Sequence, residues 1–78
     1  MIATNLRRAR ERQKLTLRAI AEAVDSSIGY IHELETGAKT PSLGMLQKLA
    51  AALGVTPNEL LGVTETQEKE VRAHGRSV

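Results

Sequence analysis

Twice along this chain, four apolar residues fall at the i, i+3, i+4, i+7 spacing of one helical face: Leu17, Ile20, Ala21 and Val24, then Leu46, Leu49, Ala50 and Leu53. Such stripes must be buried against other elements, and strand-type alternation occurs nowhere, so the chain reads as all-α. With 78 residues and no Cys, Trp or Phe, the core has to come from Leu, Ala, Ile and Val, in one small domain without disulfide staples. That leaves little room for a deep catalytic pocket, and no cofactor is expected. The longest uncharged stretch, Leu49 to Asn58, falls far short of the roughly 20 apolar residues a membrane helix needs, so no membrane span is expected. A chain without cysteine has no thiolate chemistry or Cys-based zinc site and suits a reducing cytoplasm, the expected location.

Capping residues divide the pattern into five short helices. The first is expected over about Thr4 to Gln13, with Leu6 and Ala9 inward and the arginines mostly outward. Thr16 caps the second, which carries the first stripe. Asp25, Ser26 and Ser27 make a turn, since their side chains compete for backbone hydrogen bonds. Ser27 then caps a third helix that ends at Gly37, with Ile31 and Leu34 inward. After the loop Ala38-Lys39-Thr40-Pro41, Ser42 caps the fourth helix and Gly54 stops it. Thr56 at the N-cap, Pro57 at N1 and Glu59 at N3 spell a capping box for a very short fifth helix. Residues 1 to 62 thereby read as the domain. Residues 63 to 78 have no apolar face and read as a polar C-terminal tail: disordered, a short frayed helix, or a linker. The Arg-rich N-terminus reads as part of the fold, since no apolar h-region follows it and the pattern continues into the next segment.

The net charge of +2 hides an asymmetry. Residues 1 to 18 carry +5 from Arg7, Arg8, Arg10, Arg12, Lys14 and Arg18 against Glu11, whereas residues 19 to 37 carry −4 from Glu22, Asp25, Glu33 and Glu35. A basic block suits an anionic partner, since cations that neutralise phosphates release counterions. It equally suits a solvated helix face braced by pairs such as Arg7 with Glu11.

Two helices joined by a three- to four-residue turn, with one helix before and two after, can hold one helix out from the body to enter a DNA major groove. The residues carry the argument further. Leu17-Arg-Ala-Ile-Ala-Glu-Ala-Val24, Ser27-x-x-Tyr30-Ile31, Glu35-Thr36-Gly37, Pro41-Ser42-Leu43 and Leu46-x-x-Leu49-Ala50-x-x-Leu53-Gly54-Val55 resemble the phage repressor and Cro type (Xre family) of helix-turn-helix domain, from about residue 4 to residue 62. The resemblance implies the five-helix lambda-repressor-like DNA-binding fold, with its helix-turn-helix at the second and third helices.

Carried over position by position, the resemblance makes the third helix the recognition helix, with Ile28, Gly29, His32 and Glu33 facing base edges. It assigns phosphate contacts to Thr16, Leu17 and Arg18 at the second helix start, to Ser27 and Tyr30, and to Lys39, Thr40 and Ser42 in the loop and fourth helix start. It pairs Glu35 with Arg10 structurally. Three departures stand out. Leu17 replaces the glutamine frequent in relatives, which removes one side-chain phosphate contact. Asp25-Ser26-Ser27 replaces the usual Gly-Val-Ser and lacks its apolar plug. Ile28, Gly29 and Glu33 replace the usual polar base readers with a methyl surface, bare backbone and a carboxylate, which can accept from cytosine N4. Glu33 is also expected to repel phosphate.

Competing assignments stay open for several of these residues. Ile28 serves either base contact or packing, and Tyr30 either a phosphate bond or packing. His32 has no second ligand at helical spacing, so no metal is expected. Glu22, His32 and Glu33 lack a nucleophile, oxyanion hole or pocket, so no enzyme is expected. The function implied is a sequence-specific DNA-binding transcriptional regulator, a repressor acting as a homodimer on a palindromic operator, with Leu60, Leu61 and Val63 as dimer candidates. The alternative is a helix-turn-helix used as a protein-interaction module, such as an antitoxin or anti-regulator. No small-molecule ligand can be inferred.

Overall fold

Four helices begin where a hydroxyl accepts an otherwise free backbone N–H. Thr16 Oγ1 accepts from Ala19 (3.0 Å), Ser27 Oγ from Tyr30 (3.1 Å), Ser42 Oγ from Met45 (3.1 Å) and Thr56 Oγ1 from Glu59 (3.2 Å). In the computed structural model, which describes residues 1–62, the chain runs through α1 (Ile2–Arg12), α2 (Leu17–Ala23), α3 (Ile28–Thr36), α4 (Leu43–Leu53) and α5 (Pro57–Leu61). No strand occurs among the described residues, and no helix among them is long and apolar enough to cross a membrane. The segment 63–78 lies outside them.

α1 differs from its sequence reading. It starts at Ile2 rather than Thr4 and has no side-chain cap. Ile2 and Ala3 are half-buried and line a cleft together with Leu34, Gly37 and Pro41. α1, α2 and α4 each close on a left-handed residue: Lys14 (φ 57°) and Asp25 (φ 56°), two residues past their helices, and Gly54 (φ 69°), directly after α4. In each, the next amide reaches back to a helix carbonyl: Leu15 to Arg10 (3.1 Å), Ser26 to Ala21 (2.7 Å) and Val55 to Ala50 (3.0 Å). These are Schellman closures, which satisfy carbonyls the helix leaves free.

α1 packs on α3 and α5, α2 on α3 and α4, and α4 on α5. Leu46, Leu49, Ala50 and Leu53 are all buried, as are Ile20, Ala21 and Val24, while Leu17 at the start of α2 is half-buried against the same core. Asn5 Nδ2 donates to the Leu60 carbonyl (3.0 Å) and Gln13 Nε2 to the Leu53 carbonyl (3.2 Å), tying α1 to the ends of α5 and α4. Leu60, a dimer candidate from its sequence, belongs to the core instead. It is 1% exposed and fills the core where α5 closes over α1 and α4, so it cannot serve a dimer surface. α5 buries just this one residue, whose position after the capping box turns it inward.

Candidate nucleic-acid interface

α3 leans on α1 and α2 through Ile31 and Leu34, both buried, and turns its other side outward. Ile28 (41% exposed), Gly29 and His32 lie on that outward side, with half-buried Glu33 and Tyr30 at its edge. A Cβ added at Gly29 would meet nothing within 4 Å, so the fold does not require glycine there. Its effect is one position of bare helix backbone next to Ile28.

Glu33 is not the lone carboxylate that the sequence suggests. Lys39 Nζ lies 3.4 Å from its Oε1 and 5.9 Å from the centre of the Tyr30 ring, within cation–π range. The expected repulsion of phosphate by Glu33 is therefore offset by a cation in contact with it. Thr36, whose sequence position gives no signal of a site role, is exposed one turn beyond His32, and its hydroxyl donates to the Glu33 carbonyl (3.2 Å).

The starts of α2, α3 and α4 share a property that α5 lacks. None of the three carries an acid in its first turn, whereas Glu59 occupies that place in α5, its Oε2 accepting from the Thr56 N–H at 3.0 Å. A helix start combines free N–H groups with the positive end of the helix dipole and therefore attracts anions. α5 closes that site with its own carboxylate. The starts of α2, α3 and α4 stay open beside exposed Thr16, Arg18, Ser27 and Ser42, with exposed Lys39 and Thr40 in the loop before α4. Leu17 contributes only its backbone N–H, since its side chain belongs to the core margin.

Arg10 holds this arrangement together from below. Its Nε and Nη2 donate to the two carboxylate oxygens of Glu35 at 2.6 and 3.0 Å, and its Nη1 donates to the Leu15 carbonyl at 2.9 Å. The side chains are 15% and 6% exposed. The hydrogen bonds to Glu35 raise the Arg10 pKa above its ordinary value, against the opposing pull of burial. One side chain of α1 thus clamps α3 and the residue preceding the α2 cap. Arg7 pairs with Glu11 (3.1 Å) in the open, as the solvated-face reading has it, and no ion pair engages Arg8, Arg12, Lys14, Arg18 or Lys48 among the described residues. The structural roles of Asn5 and Gln13 left no sequence signal, because a hydrogen bond to a distant helix end has no spacing.

Of the remaining candidates, Leu61 is 44% exposed, and Val63 lies outside the described residues. No group of three His, Cys, Asp or Glu that could hold a metal ion occurs among the described residues.

The sequence profile of the helix-turn-helix family matches residues 6–60. HTH-type transcriptional regulator DdrOP3 of Deinococcus deserti is 40% identical over 60 residues, 77% of this chain and 46% of its own length. The immunity repressor protein of Bacillus phage phi105 is 32% identical over 76 residues, 97% of this chain and 52% of its own. This chain thus spans about half the length of those relatives. Among solved structures, SinR, a master regulator for biofilm formation crystallised with DNA, superposes with a TM-score of 0.73 at 29% identity, over 78% of this chain and 98% of that one. The clp gene regulator ClgR of Corynebacterium glutamicum superposes with a TM-score of 0.75 at 32% identity, over 97% of this chain and 88% of its own. With the profile running from within α1 into α5, the chain belongs to the Cro/C1-type helix-turn-helix family.

Proposed function

We propose that this protein is a sequence-specific DNA-binding transcriptional regulator, a repressor that seats α3 in the major groove of a palindromic operator as a homodimer. The observation that carries the reading is the exposed face of α3, together with three helix starts whose first turns carry no acid. Ile28 meets a thymine methyl, Glu33 accepts from a cytosine amine, Gly29 admits a base edge close to the backbone and His32 reaches a neighbouring pair. Thr16, the Leu17 amide, Arg18, Ser27, Tyr30, Thr40 and Ser42 hold phosphates on either side, with Lys39 next to them. Residues 1–62 are the DNA-binding unit, and 63–78 a polar tail. A unit of this size reads too few bases alone, which favours two copies on half-sites about 34–36 Å apart, joined through Leu61 and Val63. It acts in the cytoplasm, by occluding polymerase. No catalytic step is assigned to it.

Selection of bound duplexes from a random pool at moderate salt tests the proposal. Enrichment of a palindrome with that spacing, bound more weakly as salt rises, supports it. No enrichment even in dilute buffer refutes it and leaves the protein-interaction reading. SinR has also been crystallised with the SinI protein, and that complex superposes on 99% of this chain with a TM-score of 0.73 at 28% identity.

A further inference from the structure

Two side chains and one backbone N–H converge at Glu33. Its carbonyl accepts from the Lys39 N–H (3.2 Å) and from the Thr36 hydroxyl (3.2 Å), which fixes the loop main chain against the last turn of α3. That register brings the Lys39 ammonium to 3.4 Å from the Glu33 carboxylate, and the Tyr30 ring supports the ammonium at 5.9 Å. Both members of the ion pair stay accessible, at 56% and 42% side-chain exposure. One turn earlier on the same side, Gly29 leaves open space through which a base edge can approach.

We propose that Lys39 is a positioning residue for sequence reading: it holds the Glu33 carboxylate in place and cancels its charge, so that Glu33 selects cytosine at one position of each half-site. The inference rests on the DNA-binding reading above. A free glutamate at the edge of a phosphate-lined groove would be repelled and would swing away on its rotatable bonds. Paired with Lys39, it keeps its orientation, and the pair brings no net negative charge to the DNA. An ionised carboxylate only accepts hydrogen bonds, so it favours the cytosine N4 amine. Lys39, expected from the sequence to grip phosphate, is already engaged with Glu33.

The experiment is random-duplex selection with wild type, Glu33→Gln, Lys39→Met and the double variant, each first checked for unchanged thermal unfolding. Wild type enriches cytosine at one position per half-site. Glu33→Gln moves that position toward adenine, which a glutamine can bind through N6 and N7. Lys39→Met keeps the rest of the palindrome but lowers the cytosine preference by about fivefold or more, the lower end of what one good base contact discriminates. Adding Lys39→Met to Glu33→Gln leaves base choice there as in Glu33→Gln alone. If Lys39→Met weakens all sequences equally and lowers the salt slope by about one while cytosine stays preferred, Lys39 is a phosphate contact and the inference is overturned. A wild type that enriches nothing overturns the DNA-binding reading and this inference with it.

Discussion

Arg10→Met is the perturbation whose cost follows most directly from geometry. It removes two charge-assisted bonds to Glu35 and one bond to the Leu15 carbonyl, and strands a carboxylate that is 6% exposed. Breaking a buried pair from one side costs about 3–5 kcal/mol, far above the roughly 0–1 kcal/mol of an exposed pair such as Arg7–Glu11. A domain of this length has only about 4–12 kcal/mol in total. At about 4–8 °C per kcal/mol, the midpoint should drop by roughly 12 °C or more. Arg10→Met combined with Glu35→Leu should recover much of the loss, because apolar replacement of both partners removes the stranded charge. Because the Arg10 pKa is raised, its share of stability is fully present below the unfolded value and lost only as pH climbs through the folded one, so the wild type should show no loss from this arginine near neutral pH. Thermal and urea unfolding followed by circular dichroism reads all three proteins. A loss below about 1 kcal/mol in Arg10→Met would show the clamp to be an ordinary surface pair.

Gly29→Ala adds a Cβ that meets no neighbour and should stabilise α3 by about 0.5–1 kcal/mol while changing DNA selection; a loss of stability would mean that glycine is needed by the fold. Asp25 holds a left-handed conformation that suits glycine, so Asp25→Gly should raise the unfolding midpoint, and a lowered one would contradict the turn described above. Leu60→Ala, like Leu49→Ala, should cost about 2–5 kcal/mol by opening a cavity, whereas Leu61→Asp should leave the unfolding midpoint nearly unchanged and weaken self-association in sedimentation. Equal behaviour of Leu60→Ala and Leu61→Asp in both assays would remove the distinction drawn between them.

The helix starts were legible in the sequence because a cap is a local event: Thr16, Ser27, Ser42 and Thr56 each close a bond within three residues. The start of α1 was not, because no side chain caps it and its first residues carry no local signal. Leu60 misled for a related reason. Apolar residues near a helical end fit either a core or an interface, and only the way α5 closes over α1 and α4 tells Leu60 from Leu61. At the candidate interface, residue type pointed to the outward side of α3, but the Glu33–Lys39–Tyr30 cluster depends on how the loop after α3 turns back on the helix.

If DNA meets the outward side of α3 and the open starts of α2 and α4, amide chemical shifts of the labelled protein, titrated with a selected duplex, report the contact residue by residue. The largest changes are expected at Leu17, Arg18, Ile28, Gly29, His32, Glu33, Leu43 and Gly44, with Thr56 to Glu59 unmoved because their helix start is already closed. Changes centred on α5 or on the outer arginines of α1, with α3 unmoved, would contradict that contact.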